Sequence, residues 1–188
     1  MNLVKVTRFF WILALLLSAC GSSEPKVIYE PVSEATLKQG DTLPTPTGEV
    51  ILTIKGKIGQ TNVGDTAQFD LVMLEKLGLV KYEVLDPFAK KQRVFTGVLL
   101  SQLLDVVGVE PEAQTLELVA LNEYKTDLEL GDARKWPLLF ALQADGAPIP
   151  LDDGGPAIIV FPFDDYPEID HATYDPKWVW SMAEIMVK

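Results

Sequence analysis

The sequence has little of the chemistry that metal sites and nucleophilic enzymes use. Its 188 residues include one cysteine, Cys20, and one histidine, His171. A zinc site made of cysteines and histidines therefore cannot form within one chain, and neither can an internal disulfide. There is also no Gly-x-Ser-x-Gly sequence and no glycine-rich phosphate loop, so neither serine-hydrolase catalysis nor P-loop nucleotide binding is indicated.

Basic residues are scarce as well. Sixteen Lys and Arg oppose 27 Asp and Glu, which gives a formal net charge of −11. From residue 140 to residue 188 two lysines stand against nine acids, a local balance of 2 − 9 = −7. Because nucleic acids and anionic lipids are bound through clustered cations, the composition argues against both as partners of the folded part.

The N-terminus has the pattern of an export signal. Lys5 and Arg8 precede the apolar segment 9–17, which is too short to span a bilayer. Leu17-Ser-Ala-Cys20 then resembles the lipobox of bacterial lipoproteins, which implies cleavage after residue 19 and acylation of Cys20. The mature chain would have 188 − 19 = 169 residues and a formal charge of −11 − 2 = −13.

The expected organisation has three parts: a signal peptide (1–19), a lipid-anchored tether (20–49) and a folded domain (50–188). The tether is rich in Pro, Ser, Thr and Gly and has few large apolar side chains. The residue after the cysteine is Gly21 and not Asp. In a bacterium with two membranes, this resembles a lipoprotein that is sorted to the outer membrane. We therefore expect an extracytoplasmic protein, held by Cys20 and facing the periplasm.

The clearest secondary-structure pattern is an apolar stripe at helical spacing before Gly108. It predicts a buried helix that ends at this glycine, with the core residues Leu99, Leu100, Leu103, Leu104 and Val107. A second short helix is predicted over 70–78, with Asp70 as its N-cap. The other apolar segments have strand length and spacing: 50–54, 80–85, 115–121, 137–142, 157–161 and 178–187. The class is α+β, mostly β with two or three short helices.

The order of four motifs resembles a known family. Val50-Ile-Leu-Thr-Ile-Lys-Gly56 is followed by Phe95-Thr-Gly-Val-Leu-Leu-Ser-Gln-Leu-Leu104 and Leu121-Asn-Glu-Tyr124, then by Gly155-Pro156 and Lys177-Trp178 before apolar strands. This order is similar to the molybdopterin-binding domain of the sulfite oxidase family in its short, single-domain bacterial form. The resemblance covers residues 50–188 and implies that family's fold, with two-electron chemistry at molybdenum as its usual activity.

Two departures concern the cofactor. The family implies a cysteine thiolate at about residues 84–88, where this chain has none; Asp86 offers only a hard oxygen ligand there. The family also implies an arginine after the Gly-x-Pro of the late strand, where this chain reads Pro156-Ala-Ile-Ile. Because phosphate groups recruit Arg or Lys, we expect no cofactor, with molybdopterin as the alternative.

Candidate binding residues lie in or beside the predicted loops, where binding groups are often carried. They are Asp86, Phe88, Arg93, Tyr124, Arg134, Trp136, Tyr166, His171 and Tyr174. The same aromatics could instead close loops over the core. His171, set among acids, could be a general acid or pH switch, and the acidic loops of 152–170 could surround Ca²⁺ or simply be solvated.

Two functions follow from these patterns. The first is a non-enzymatic module that binds a small molecule or a protein such as the outer domain of a membrane sensor. The second is a molybdopterin-dependent oxidoreductase with atypical ligation of the metal. The missing cysteine and the acidic C-terminal part favour the first.

Overall fold

A computed structural model describes residues 28–188. The predicted signal peptide and the acylation of Cys20 lie outside these residues and stay predictions. Within residues 28–188, no helix has both the length and the apolar character needed to cross a bilayer.

Strands dominate the described part of the chain, as the sequence predicts. It contains four short α-helices instead of two or three: α1 (Leu71–Lys76), α2 (Leu100–Val106), α3 (Leu130–Lys135) and α4 (His171–Tyr174). The strands are β1 (Glu30–Pro31), β2 (Val50–Gly56), β3 (Ala67–Asp70), β4 (Val80–Asp86), β5 (Lys91–Leu99), β6 (Thr115–Ala120), β7 (Lys125–Glu129), β8 (Leu139–Ala144), β9 (Ala147–Pro148), β10 (Ile158–Val160) and β11 (Met182–Val187).

Residues 28–188 form two sheets. The first has the order β1-β4-β5-β8-β10, with β9 paired to β8, and the second has the order β3-β2-β11-β6-β7. In the first sheet, β4 and β5 form an antiparallel hairpin whose register runs from Val80 opposite Gly97 to Asp86 opposite Lys91. In the second, β11 is parallel to β2 and antiparallel to β6. The turns of hairpins β4–β5 and β6–β7 carry residues of the candidate site.

Helix α2 buries the predicted apolar stripe. Leu100, Leu103 and Leu104 are fully buried, and Gly108 has a φ of +62°, the left-handed conformation expected after the helix. Upstream, Gly97 is needed for close packing of strands: a Cβ atom there would lie 2.1 Å from the carbonyl oxygen of Phe140 on β8. The stripe and its stop signal are therefore correct predictions.

Asp70 caps α1, and it also binds the chain that precedes β2. Its Oδ1 accepts the backbone N–H of Met73, while its Oδ2 accepts those of Thr47 (2.8 Å) and Gly48 (2.9 Å). Burial alone would raise the pKa of this carboxyl, but the hydrogen bonds from Met73, Gly48 and Thr47 outweigh it and lower the pKa below its usual value.

The predicted boundary between tether and domain at residue 50 is wrong for the described part of that segment. Strand β1 pairs with β4, and the side chains of Leu37 and Leu43 are buried in the core. The N–H groups of Thr36 and Leu37 both donate to the carbonyl of Lys76. Sparse apolar residues in a Pro- and Thr-rich segment conceal this docking, because two buried leucines give no periodic pattern.

The last strand is shorter than predicted. It begins at Met182, and residues 178–181 form a connection in which Ser181 has a φ of +49°. The side chains of Trp178 and Trp180 consequently do not share a strand face. Trp178 is 3% exposed and Trp180 is 47% exposed.

Candidate functional site

A cleft of about 280 Å³ opens where the turns of β4–β5 and β6–β7 meet the connection before β11. Four of its nine lining residues are aromatic, and its lining also includes two polar side chains. The residues concerned are Phe88, Tyr124, Trp178, Trp180, Asn122 and Asp175. Aromatic side chains from three separate segments therefore converge on one cavity.

Phe88 reaches the cleft because Asp86 shapes its turn. Oδ1 of Asp86 accepts the N–H groups of Phe88 and Ala89, both at 2.9 Å, an arrangement by which Asp commonly stabilises turns. Lys90 completes the turn with a φ of +55°. The ring of Phe88, with 47% of its residue surface exposed, then stands beside Trp180.

Tyr124 is fixed at both ends. Its N–H donates to the side-chain oxygen of Asn122 at 3.1 Å, and its hydroxyl donates to the carbonyl of Pro176 at 2.8 Å. Glu123 supplies the positive φ of +66° that this tight turn requires. The hydroxyl contact joins the β6–β7 turn to the chain after α4, and Tyr124, which is 44% exposed, lines the cleft.

Trp178 and Trp180 form the remaining walls, and the sequence reasoning missed both as site residues. Trp178 follows a single 3-10 turn, Asp175–Lys177, and packs edge-on against Phe95 with 5.6 Å between ring centroids. Trp180 packs edge-on against Phe88 at 5.1 Å and 72°. Its ring covers Gly154, where a Cβ would approach Trp180 Cγ to 3.0 Å. The sequence predicts Trp178, Val179 and Trp180 as part of the closing strand, and this prediction gave no indication that they form a loop beside the cleft.

Asp175 joins His171 to the cleft. Nδ1 of His171 lies 2.7 Å from Oδ1 of Asp175, one helical turn further along the chain. The imidazole ring also stacks on Phe163, with 4.1 Å between ring centroids. His171 is thus held beside the cleft but is not one of its lining residues.

Directly behind the aromatic wall is a group of charged residues that we call the Arg93 cluster: Arg93, Asp86, Asp145 and Asp153. Arg93 Nη2 donates to Asp153 at 2.8 Å, and its other guanidinium nitrogens lie 3.5 Å from Asp86 and Asp145. Arg93 is 6% exposed and Asp86 3%. The formal charge of the cluster is 1 − 3 = −2.

The three carboxylates keep Arg93 charged. Burial by itself would lower the pKa of the guanidinium, but its hydrogen bond to Asp153 and the charges of Asp153, Asp145 and Asp86 raise it. The guanidinium carbon also lies 5.3 Å from the centroid of Phe95, which in turn contacts Trp178. The cluster and the cleft therefore share a wall of packed rings.

The other predicted site residues lie away from the cleft and hold the loops in place. Arg134 pairs with Asp105 at 2.7 Å on the surface. The indole N–H of Trp136, a buried residue, donates to Glu168, and its ring meets Tyr174 edge-on at 5.2 Å.

Tyr174 and Tyr166 have the same structural character. The Tyr174 hydroxyl donates to Asp132 at 2.6 Å; burial, this hydrogen bond and nearby acids raise its pKa to about 12. Tyr166 packs, partly buried, against the core. The reading of these aromatics as loop-closing residues holds for this group, whereas Phe88 and Tyr124 line the cleft.

A larger groove of about 860 Å³ lies against the second sheet. Its lining includes exposed apolar side chains from four segments: Val50, Leu71, Val72, Leu121 and Leu151. In the sequence, Leu121 of this groove stands between Ala120 and Asn122 of the aromatic cleft. None of the residues predicted as binding candidates lines this groove.

The sequence matches a family model, and this match identifies the chain. Residues 78–179 match the oxidoreductase molybdopterin binding domain, and the chain belongs to that family. The match contains Phe88, Tyr124 and Trp178 of the cleft, and Trp180 lies one residue beyond it. The predicted resemblance to the sulfite oxidase family is confirmed.

Solved structures agree on the fold. The sulfane dehydrogenase SoxCD from Paracoccus pantotrophus is similar with a TM-score of 0.56 at 16% sequence identity. The similarity covers 72% of this chain and 37% of that chain, so this chain spans little more than a third of its length. No curated protein matches the sequence.

The residues at the expected cofactor positions do not fit a molybdenum-pterin group. Between residues 84 and 88, Val84 is fully buried, Asp86 is bonded within its own turn and to Arg93, and Phe88 faces the cleft. After Pro156 the chain enters the buried strand β10 without an arginine. Arg93 is already bound by three carboxylates. Among residues 28–188, no three His, Cys, Asp or Glu side chains are grouped to hold a metal ion.

Proposed function

We propose that this protein is a lipid-anchored extracytoplasmic binding module. It keeps the fold of an oxidoreductase molybdopterin binding domain without the metal chemistry of that family. It acts by binding a small molecule or a partner such as the outer domain of a membrane sensor. Acylation of Cys20 is supported by the sequence Leu17-Ser-Ala-Cys20 and is part of the proposal.

The observation that carries the proposal is the state of Asp86. A metal ligand needs a free lone pair directed at an open position. Asp86 is instead 3% exposed, with Oδ1 accepting two backbone N–H groups and Oδ2 facing Arg93. The single cysteine of the chain, Cys20, precedes the described domain and is assigned to the lipid. The soft ligand that the family implies is therefore replaced by a closed ion cluster.

Exposed apolar surface supports a binding role. The aromatic cleft and the larger groove together contain most of the exposed large apolar side chains of residues 28–188. Contiguous exposed apolar surface of this kind marks interaction sites in soluble domains. The cleft suits a small ligand, and the larger groove suits a protein surface.

The short connection to the membrane limits where a partner can be. From Cys20 to Ile28 the chain advances by 28 − 20 = 8 residues. At about 3.3–3.6 Å per residue, their maximum span is about 29 Å. An acylated Cys20 would therefore keep the domain close to the bilayer, within reach of the membrane-proximal part of a sensor.

Metal and pterin content of the lipoprotein, purified from its own host, tests this function. Elemental analysis should find no stoichiometric molybdenum, and the oxidised extract should lack pterin fluorescence. A close homologue with the cysteine ligand, matured in the same host, is the positive control for cofactor supply. Near-stoichiometric molybdenum would overturn the proposal in favour of the molybdopterin-dependent oxidoreductase, which family membership keeps as the alternative.

A further inference from the structure

We propose that the aromatic cleft binds a small organic cation with a methylated ammonium group, such as a choline-like molecule. The inference rests on the proposed function, since it treats the cleft as a ligand site of a binding module. It adds the chemical class of the ligand. The walls, the charge and the size of the cleft each contribute to the argument.

The walls have the geometry that organic cations favour. Phe88 and Trp180 meet at 72°, so their rings form two sides of a corner, and Tyr124 and Trp178 line the same cavity. A cation held against aromatic faces is attracted by the ring quadrupoles, and several rings around a quaternary ammonium form the usual recognition site for that group. Tyr124 is already oriented by its bond to Pro176, so little entropy is lost when a ligand binds.

The charge around the cleft has the matching sign. Among its described lining residues, the one charged side chain is Asp175, and the contact with His171 uses only Oδ1 of that carboxylate. The Arg93 cluster, with its net charge of −2, lies against Phe95, which packs on Trp178 of the cleft. Its carboxylates Asp145 and Asp153 are each about half exposed and add to the negative potential.

Nearby lysines are directed elsewhere. The Lys177 amine donates to the carbonyl of Asp127, and Lys125 lies 3.8 Å from Glu117. Lys90 and Lys91 are exposed at the turn that carries Phe88 and the start of β5, but neither lines the cleft. An anionic ligand would therefore meet Asp175 with no cation among the lining residues to balance it.

The size favours a small ligand. A volume of about 280 Å³ is just below the roughly 300–1,000 Å³ of pockets that enclose drug-sized molecules. A tetramethylammonium or choline cation has a compact, nearly spherical head that such a corner can surround on several sides.

Choline and its neutral isostere 3,3-dimethylbutan-1-ol provide the test. The full lipoprotein is purified in a detergent without a choline head group, and each compound is titrated while tryptophan fluorescence and binding heat are recorded. Choline should bind saturably and change the emission of Trp178 and Trp180. The isostere has the same shape without the charge, so it should bind at least about tenfold more weakly.

Variants locate the site. Trp180→Ala and Phe88→Leu each remove a wall at an exposed position and should weaken choline binding by about tenfold; Asp175→Asn should weaken it less. Val32→Ala changes an exposed side chain that lines neither the cleft nor the larger groove, and it serves as the matched control, with unchanged affinity. Thermal unfolding shows whether each variant is folded. If one of the two wall variants is unfolded, the other is sufficient for the test.

The outcomes separate this inference from the proposed function. Molybdenum content is measured on the same sample. A metal-free protein that does not bind choline, or that binds the neutral isostere equally well, disproves the cation ligand and leaves the binding module standing. Unchanged affinity in folded wall variants disproves the location. Stoichiometric molybdenum disproves the module itself.

Discussion

The Arg93 cluster and the aromatic cleft share a wall but differ in what they leave free. In the cluster, Arg93 and Asp86 are at most 6% exposed and form an ion pair with each other; Asp86 also accepts two backbone N–H groups, and Arg93 donates to Asp153. In the cleft, Phe88, Tyr124 and Trp180 are 44–47% exposed. The position that the family's chemistry would use is closed by internal contacts, whereas the neighbouring rings remain available to a ligand. We therefore expect a ligand at this end of the fold to contact the rings.

Replacing Arg93 tests the Arg93 cluster and should have the largest effect on the free energy of unfolding. Arg93→Met would leave Asp86 buried without its counter-ion, and breaking a buried pair in this way costs about 3–5 kcal/mol of unfolding free energy. Urea unfolding of both proteins at pH 7 measures the loss. Arg134→Met is the matched control, because its pair with Asp105 is exposed and is worth about 0–1 kcal/mol. Equal small effects would show that the cluster is not a closed ion site.

The two tryptophans of the cleft differ in how deeply they are buried. Trp178 is 3% exposed and contacts Phe95 and Phe163, so Trp178→Ala should cost about 3–5 kcal/mol through the cavity it leaves. Trp180→Ala should lower the free energy of unfolding by about 1 kcal/mol or less, because Trp180 is nearly half exposed. Denaturant midpoints with unchanged slopes measure both. Similar losses for the two variants would contradict the division between core and binding surface.

Replacing Asp70 should have a smaller, pH-dependent effect on stability. Its carboxylate accepts hydrogen bonds from backbone N–H groups, whereas Asp86 faces an arginine. The pKa of Asp70 is lowered in the folded state, so this carboxylate stabilises the fold above the unfolded value of about 3.9 and loses that contribution as pH falls through the lower folded value. Asp70→Asn should cost about 1 kcal/mol at pH 7. The difference from the parent protein should vanish in acid, and a constant difference down to about pH 2 would contradict this assignment.

Tyr124→Phe should have the smallest effect on stability. The ring stays in the cleft, but its hydroxyl no longer donates to the carbonyl of Pro176, an exposed bond worth about 0.5–1 kcal/mol. Thermal unfolding measures this loss. Choline affinity should fall only slightly, because the ring face is kept; a loss as large as that of Trp180→Ala would indicate that orientation of Tyr124, and not ring area, controls binding.

Local signals predicted the parts of the fold that depend on neighbouring residues. The spacing of Leu100, Leu103 and Leu104 predicted α2, and Asp70 was correctly identified as a cap, because periodicity and capping act within a few residues. The motif order was sufficient to recognise the family. By contrast, the docking of Leu37 and Leu43 was missed, since single apolar residues in a polar segment find their partners only in the folded state.

The candidate site was predicted only in part, for the same reason. Phe88 and Tyr124 were identified from their loops, but Trp178, Trp180 and Asp175 were not, and Arg134, Trp136, Tyr166 and Tyr174 turned out to lie outside the cleft. Nothing local links Phe88 to Trp180, which are 180 − 88 = 92 residues apart and meet at 5.1 Å. Similarly, no pattern around Arg93 points to Asp145 and Asp153.

The sequence by itself determined the family, the α+β class, the buried stripe of α2, the acidic character and the scarcity of cysteine and histidine, because each is a property of composition or short-range spacing. Only the tertiary structure decided which aromatics are walls and which are supports. Hairpin register and the course of the chain before β11 set those distances. The tertiary structure alone showed that the buried Asp86 pairs with Arg93, because an ion pair between buried groups depends on contacts that sequence spacing does not encode.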